Sequence, residues 1–236
     1  MEENHMQTIT INKTDTMDFH GKEAYKTLRT NIEFAGEDVK VISVTSCMPN
    51  EGKSSVTMNL AFSLAEAGKT VLFVDADMRK SILTGRYKIK NAKRGLSHYL
   101  SGQSNLEDVI SVTNVEKLHM VIAGPVPPNP SELLQSKRFA RFIEEMRKIY
   151  DYIIIDCPPL GSVVDGLIAG RLSDGVALVI ASENISYKFA QKIKKQLETA
   201  ECKILGVILN KVNLKGRGYY GNYYGKYYGE YYTNED

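Results

Sequence analysis

The sequence predicts an α/β fold in which a mostly parallel sheet carries helices on both faces. Six apolar runs of strand length occur along the chain, and helical patterns separate most of them. The apolar runs are continuous rather than alternating with polar residues, as expected for strands that helices cover on both sides. Strands that alternate with helices form βαβ units, and these units build parallel sheets.

The expected elements follow one another along the chain in this order. A helix is expected over residues 21–35, where apolar residues recur near one face. Strands are expected at 39–46, 70–77, 119–124, 152–159, 175–182 and 202–210, with helices at 53–68, 130–150 and about 186–200. Residues 1–20 show no sustained periodicity and are expected to form a loose or accessory N-terminal arm. The folded domain is expected to span 21–212, because the pattern stops at residue 213 and leaves 213–236 as a tail.

Composition and charge exclude several other classes of protein. The net charge of +2, from 30 basic and 28 acidic residues, argues against a dedicated binder of nucleic acid. The three cysteines, Cys47, Cys157 and Cys202, have no CxxC spacing, so we expect neither a disulfide framework nor a zinc site. No apolar run approaches the roughly 18–20 residues of a membrane-spanning helix, and the polar start MEENHMQTIT is unlike a signal peptide. These properties predict a cytoplasmic protein.

The loop after the first strand carries GKS at Gly52, Lys53 and Ser54, between an expected strand and an expected helix. This is the core of a P-loop, in which backbone N–H groups at the helix start surround phosphate oxygens. In that setting a lysine reaches the terminal phosphates and a serine hydroxyl helps to hold Mg²⁺. The full pattern G-x-x-x-x-G-K-[ST] fails, since Cys47 replaces its first glycine, and Asn50 also stands where glycine is usual. Taken alone, GKS is therefore a weak signal.

Three aspartates follow two other apolar runs. Asp75 and Asp77 lie in VLFVDADMR, and Asp156 lies in IIIDCPP. Ligands bind at the carboxyl ends of parallel strands, and alternate residues of an extended strand share a face. The two carboxylates of VLFVDADMR are thus expected to converge on one metal–phosphate group, with Asp156 as a further Mg²⁺ partner. A turn or a helix cap explains any one of these aspartates, but their combination with GKS predicts a site for Mg-nucleotide and a P-loop NTPase fold.

These motifs together resemble the bacterial protein-tyrosine kinases (BY-kinases) of capsular and extracellular polysaccharide export. The family carries a P-loop, a D-x-D-x-R motif after a hydrophobic run, a D-x-P-P motif and a terminal tyrosine cluster. Here the corresponding segments are PNEGKSS, VLFVDADMR, IIIDCPP and GYYGNYYGKYYGEYY. The resemblance covers nearly the whole chain, and the last three motifs are the specific ones.

The resemblance implies ATP and Mg²⁺ as cofactors and assigns roles to the motif residues. It implies that ATP is bound by Asn50, Glu51, Gly52, Lys53, Ser54, Ser55 and Asn210, the last near the adenine. It implies that Ser54 and Asp77 hold Mg²⁺ with Asp156 nearby. The catalytic residues would be Lys53, Asp75 and Asp77, with Asp75 acting on the attacking tyrosine hydroxyl, although nothing in the sequence decides between the two aspartates for that role.

The C-terminal segment is expected to be the substrate of the enzyme. Its eight tyrosines are Tyr219, Tyr220, Tyr223, Tyr224, Tyr227, Tyr228, Tyr231 and Tyr232. A glycine every four residues disfavours both helix and strand, so we expect a disordered tail. At about 3.3–3.6 Å per residue its outer tyrosines reach about 60 Å from residue 213. Both cis and trans autophosphorylation are within that reach, and we expect the trans reaction.

The resemblance also implies partners. In the family, an N-terminal helix with the pattern E-x-x-R-x-x-R mediates assembly into a ring; here the pattern is Glu23, Lys26 and Arg29. Lysine keeps the charge but loses bidentate pairing. The further partners implied are a membrane-embedded activator, contacted through its cytoplasmic end, and a cognate tyrosine phosphatase. Membrane contact would then be indirect, and the kinase would be recruited to the inner face of the plasma membrane.

Two alternative functions are open to a chain with these motifs. One is an ATPase switch of the partitioning and septum-positioning type, which shares the P-loop fold but usually carries a lysine early in the loop, where this chain has Met48. The other is a binding module that stacks bases or sugars on the tyrosines. The tail has no arginines interleaved among its tyrosines and no net charge, which disfavours a nucleic-acid groove.

Overall fold

The computed structural model describes residues 6–12 and 17–213. Within these ranges the chain forms eight strands: β1 (Gln7–Ile9), β2 (Val41–Ser46), β3 (Val71–Asp75), β4 (Ser111–Thr113), β5 (Leu118–Val121), β6 (Tyr152–Asp156), β7 (Gly175–Ala181) and β8 (Ile204–Asn210). The helices of the same ranges are α1 (Phe19–Glu33), α2 (Lys53–Glu66), α3 (Leu83–Arg86), α4 (Leu96–Leu100), α5 (Pro130–Gln135), α6 (Lys137–Met146), α7 (Asp165–Arg171) and α8 (Tyr187–Thr199). Of the predicted tail, 213–236, residues 214–236 lie outside the described residues.

The strands form one sheet in the order β1-β4-β5-β3-β6-β2-β7-β8. Every neighbouring pair is parallel except β4 and β5, which are antiparallel. The prediction of a mostly parallel sheet is therefore confirmed. Since β3, β6 and β2 are adjacent, the chain segments that leave their carboxyl ends lie side by side, and this arrangement brings the predicted motifs together.

Helices cover both faces of this sheet, as predicted. On β2 the side chains of Ile42 and Val44 join the core that includes α2, whereas Val41 joins the core formed with α6. The same alternation holds on β3, where Phe73 and Leu72 belong to the two opposite cores. Because successive residues of a strand point to opposite faces, both sets of side chains must be apolar, and this explains the continuous apolar runs in the sequence.

Part of the predicted N-terminal arm is a strand of the sheet. Residues 7–9 are not loose but form β1, which pairs in parallel with β4. Ile9 and Ile11 are buried in the core. A strand of three residues is too short to show periodicity, and its pairing partner lies about a hundred residues away in the sequence, so no local pattern could reveal it. The first helix also begins at Phe19, slightly before the predicted boundary.

The predicted helix over 130–150 is two helices. Ser136 separates α5 from α6, since its backbone is extended (φ −65°, ψ 148°) and its side chain accepts a hydrogen bond from the N–H of Phe139. Serine is a favoured N-cap residue because its hydroxyl satisfies a free N–H of the first helical turn. The amphipathic spacing continues through the break, so periodicity alone could not detect it.

Candidate active site

The P-loop connects the end of β2 to the start of α2. It turns through two left-handed residues, Asn50 (φ 66°) and Gly52 (φ 92°). The buried carboxylate of Glu51 accepts hydrogen bonds from the N–H of Met48 at 2.7 Å and of Ala181 at 3.2 Å. The Glu51 side chain is thus directed into the protein, where it fixes the shape of the loop.

Four of the predicted residues meet at the N-terminus of α2. Lys53 Nζ lies 3.1 Å from Asp77 Oδ2 and 3.3 Å from Asp156 Oδ1, and it donates to Ser54 Oγ at 3.1 Å. All four side chains are buried. The strands that precede or carry them, β2, β3 and β6, are neighbours in the sheet, so residues from three separate motifs form one cluster of hydroxyl, ammonium and carboxylate groups.

Burial and opposite charges act against each other in this cluster, and burial prevails at Asp156, whose pKa is raised overall. Burial alone would lower the pKa of Lys53, but the carboxylates of Asp156 and Asp77 raise it, so the ammonium stays charged. For Asp156, burial raises the pKa, and the charge of Lys53 acts in the opposite direction. The arrangement therefore places a fixed positive charge between two carboxylates.

Asp75 is the most enclosed of the three aspartates. It is the last residue of β3, is fully buried, and accepts hydrogen bonds from the backbone N–H of Asp77 at 3.2 Å and from the hydroxyl of Ser81. Burial, followed by repulsion from Asp156, raises the pKa of Asp75 to about 8. Because β3 ends at Asp75, Asp77 lies in the loop that follows the strand. There its Oδ1 accepts a hydrogen bond from the N–H of Lys80 at 3.1 Å.

Two polar residues of the site were not singled out from the sequence. Thr57, one helical turn after Lys53, donates to the carbonyl of Lys53 at 2.7 Å and lies 3.4 Å from Asp156 Oδ1. Ser81 donates to Asp75 from the loop after β3. The spacing of four residues from Lys53 could have pointed to Thr57, because residues i and i+4 share a helix face. No sequence signal marks Ser81.

The remaining predicted nucleotide residues lie at the edge of the P-loop. Asn210, the last residue of β8, donates from its side-chain amide to the carbonyl of Glu51 at 2.9 Å. The next residue, Lys211, donates to the carbonyl of Asn50 at 2.6 Å. Ser55 lies in the first turn of α2 and is hydrogen-bonded to Arg86. The end of β8 is thus joined directly to the P-loop.

The residues predicted for self-association lie on α1. Glu23 and Lys26 pair with each other at 2.6 Å. Arg29 instead donates to the carbonyl of Ser63 on α2 at 2.9 Å, and this contact fastens α1 to the helix that begins at the P-loop. The eight tyrosines of the tail lie outside the described residues.

The donor set of the cluster suits Mg²⁺ bound together with phosphates. Carboxylate and hydroxyl oxygens are hard ligands, and Mg²⁺ usually binds through one or two carboxylates plus substrate oxygens. Within residues 6–12 and 17–213 no group of three or more His, Cys, Asp or Glu is arranged as a metal cage. No described side chain caps the 14-residue α2, so its first N–H groups are free to meet an anion.

Comparison with known proteins identifies the family. A sequence family described as an AAA domain matches residues 39–209. A tyrosine-protein kinase of Streptococcus agalactiae, CpsD, is 45% identical over 203 residues, which are 85% of this chain and 89% of the relative. The kinase domain of the Escherichia coli tyrosine kinase ETK is 33% identical with a TM-score of 0.80, over 84% of this chain and 78% of that one.

The fold is also shared with an ATPase of the alternative class. The septum site-determining protein MinD of Pyrococcus horikoshii OT3, in complex with Mg-ADP, is 29% identical with a TM-score of 0.64, over 77% of this chain and 72% of that one. The tyrosine kinases match at higher identity and over more of the chain. The chain therefore belongs to the bacterial protein-tyrosine kinase (BY-kinase) family, and it is a tyrosine kinase.

Proposed function

We propose that this kinase transfers the terminal phosphoryl group of ATP to the tyrosines of its own C-terminal cluster, on a neighbouring subunit. We further propose that this reaction regulates the synthesis and export of capsular or extracellular polysaccharide. The observation that carries the proposal is the cluster at the start of α2, where Ser54, Asp77 and Asp156 all lie within 3.3 Å of the Lys53 ammonium. Phosphoryl transfer depends mainly on such positioning and charge neutralisation.

ATP is proposed to bind over the P-loop, with its phosphates at the first N–H groups of α2 and beside Lys53. Asn50, Glu51, Gly52 and Ser55 would contribute through the loop and the first helical turn, and Asn210 would lie near the adenine. Ser54, Asp77 and Asp156 would hold Mg²⁺, which supplies neutralisation of phosphate charge when bound. In this arrangement Lys53 exchanges part of its contact with the carboxylates for contact with phosphate oxygens.

Asp75 is proposed to act on the attacking tyrosine hydroxyl. A phenol with a pKa near 10 is a poor nucleophile at neutral pH, so a base that accepts its proton accelerates the transfer. Burial raises the pKa of Asp75 to about 8, so its ionised form, a minority at neutral pH, is a stronger base than an ordinary carboxylate. Because the Ser81 hydroxyl donates to Asp75, the incoming phenol would compete with that hydroxyl for the carboxylate. Asp75→Asn should therefore lower the rate of transfer far more than it lowers the affinity for nucleotide.

The central test is phosphate mapping. The purified full chain is incubated with Mg-ATP, with and without a cytoplasmic fragment of a candidate activator, and phosphorylated residues are located by mass spectrometry. We expect phosphate on tyrosines within 219–232, its loss in Lys53→Met, and its retention in Lys192→Met, a matched change of an exposed lysine on α8. Hydrolysis of ATP without phosphotyrosine, even with the activator fragment, would favour the ATPase switch and refute the proposal.

Transfer between subunits is tested by mixing two variants, neither of which can phosphorylate its own tail. One chain carries Lys53→Met and an intact tail, and the other is catalytically intact but has all eight tail tyrosines changed to phenylalanine. Phosphate on the first chain demonstrates transfer in trans. If each chain stays unphosphorylated in the mixture while the wild type is modified, transfer occurs within one chain.

The proposed partners follow from the family. We propose that the kinase self-associates into a ring through Glu23, Lys26 and Arg29. The cytoplasmic end of a membrane protein would activate it, and a tyrosine phosphatase would remove the phosphate. None of the helices in the described part of the chain has the length and apolar character needed to cross a bilayer. We propose a cytoplasmic kinase that its activator recruits to the inner face of the plasma membrane. The contact of Arg29 with α2 would let assembly on α1 influence the helix that bears the P-loop.

A further inference from the structure

Arg79, two residues after Asp77, makes a set of contacts that no role described above uses. Its Nε lies 2.7 Å from Asp165 Oδ2, and its Nη2 lies 3.2 Å from Asp165 Oδ1. The same Nη2 donates to Ser131 Oγ at 2.8 Å, and this hydroxyl donates to Asp165 Oδ1 at 2.6 Å. Asp165 is completely buried. We call Arg79, Asp165 and Ser131 the Arg79 cluster.

The Arg79 cluster joins three segments that surround the candidate active site. Arg79 belongs to the loop that follows β3 and carries Asp77. Asp165 is the first residue of α7, which is the next helix after Asp156 and packs against β2 and α5. Ser131 lies in the first turn of α5. The Arg79 cluster therefore connects the loop that carries Asp77 to the segment that follows Asp156.

The loop of Asp77 is fixed on its other side by backbone contacts. The N–H of Ala76 donates to the carbonyl of Asp156 at 2.9 Å, and the N–H of Asp77 donates to Asp75. The first bond holds the beginning of the loop against β6, and the second holds it to the end of β3. The Arg79 side chain holds the residues that follow, so the orientation of the Asp77 carboxylate is determined from both sides.

We propose that Arg79, held by Asp165 and Ser131, is a positioning residue that sets the Asp77 carboxylate relative to Asp156 for divalent-cation binding. This inference rests on the proposed Mg²⁺ site. Mg²⁺ demands nearly ideal octahedral geometry at short distances, so a small displacement of one carboxylate weakens binding. Arginine suits the role because its planar fork binds both oxygens of a carboxylate, which a lysine cannot do.

The test measures how Mg²⁺ changes the affinity of the full chain for a fluorescent ADP analogue. Each protein is titrated with the analogue in the presence of Mg²⁺ and again in the presence of EDTA. For the wild type we expect tighter binding with Mg²⁺. Groups that contact a metal ligand directly typically contribute about 10–100-fold to metal affinity. Arg79 acts on Asp77 only through the loop, so Arg79→Lys should reduce the Mg²⁺ enhancement by about 10-fold, the lower end of that range. Binding in EDTA should change little, because the P-loop itself is intact.

A second Arg–Asp pair of the same protein provides a matched control. Arg147 contacts Asp174 at 2.6 Å with similar arginine exposure, 37% against 39% for Arg79. Asp174 accepts from backbone N–H groups at the start of β2, the end of the strand opposite to the P-loop. Arg147→Lys should lower thermal stability yet leave the Mg²⁺ enhancement unchanged. Asp165→Asn, which is isosteric, reports on the same contact if Arg79→Lys does not fold.

The outcomes separate the inference from the function on which it depends. An unchanged Mg²⁺ enhancement in folded Arg79→Lys or Asp165→Asn overturns the positioning role. An equal loss in Arg147→Lys also overturns it, because the effect would then reflect general destabilisation. If the wild type itself shows no Mg²⁺ enhancement, the proposed Mg²⁺ site is refuted, and the inference falls with it. A double variant of Arg79 and Asp165 that loses no more than either single variant supports the coupling.

Discussion

Gly52→Ala is expected to damage both the fold and the nucleotide site. Gly52 has a φ of +92°, a conformation that costs a residue with a Cβ about 1–2 kcal/mol. A Cβ at this position would lie 2.2 Å from the side-chain nitrogen of Asn210. That nitrogen must then move and lose its hydrogen bond to the carbonyl of Glu51, at a further cost of about 0.5–1.5 kcal/mol.

The combined loss is about 1.5–3.5 kcal/mol in the free energy of unfolding. For a domain of this size, each kcal/mol corresponds to about 2–4 °C in Tm. Thermal unfolding followed by circular dichroism should therefore show a fall of roughly 3–14 °C for Gly52→Ala. Asn210→Ala, which loses only the hydrogen bond, should show a smaller fall. Nucleotide affinity, measured with the fluorescent ADP analogue, should fall in Gly52→Ala because the loop no longer keeps its shape.

The double variant Gly52→Ala with Asn210→Ala tests the reasoning directly. It removes the steric conflict but keeps the backbone strain. The double variant should therefore lose less free energy of unfolding than the two single variants lose together. Strict additivity would show that the Cβ and the Asn210 side chain do not meet. A Gly52→Ala protein as stable as the wild type, with unchanged nucleotide affinity, would refute the whole account of the loop.

Three further predictions concern pH, thiol reactivity and assembly. Burial alone would raise the pKa of Asp174, but the Arg147 contact and two backbone N–H groups lower it overall. Asp174→Asn should therefore reduce the free energy of unfolding by about 1–3 kcal/mol near neutral pH. Urea unfolding at several pH values should show this difference between variant and wild type shrinking below about pH 4. Burial raises the pKa of Cys47 to about 12 and also raises that of Cys157 and Cys202. All three thiols of the native protein should therefore react with Ellman's reagent far more slowly than in urea. A rapid reaction of the native protein would contradict this. The side-chain charges of the tail sum to zero, with Lys215, Arg217 and Lys226 against Glu230, Glu235 and Asp236. Phosphorylating half of the tail tyrosines adds a charge of roughly −6 to −8, and we expect smaller oligomers by light scattering. An unchanged mass after full phosphorylation would exclude control of assembly by phosphorylation.

Much of the fold and the site could be predicted because the signals are local. The continuous apolar runs identified the six long strands, and the residues just after β2, β3 and β6 were expected to converge. In the structure Lys53, Ser54, Asp77 and Asp156 do converge. The short strands β1 and β4, and the short helices α3, α4 and α7, carry too few residues to show a period, and they were not predicted.

The sequence by itself determined the α/β class, the P-loop at the start of α2 and the family, because residue types and spacings within a few positions carry that information. Only the tertiary structure decided which distant groups meet. Asn210 contacts Glu51 across 159 positions, and Arg79 contacts Asp165 across 86. Such contacts depend on strand order and on the direction in which each loop leaves the sheet. Periodicity encodes neither, and so the contacts of Asn210 with the P-loop and of Arg79 with Asp165 became visible only in the folded chain.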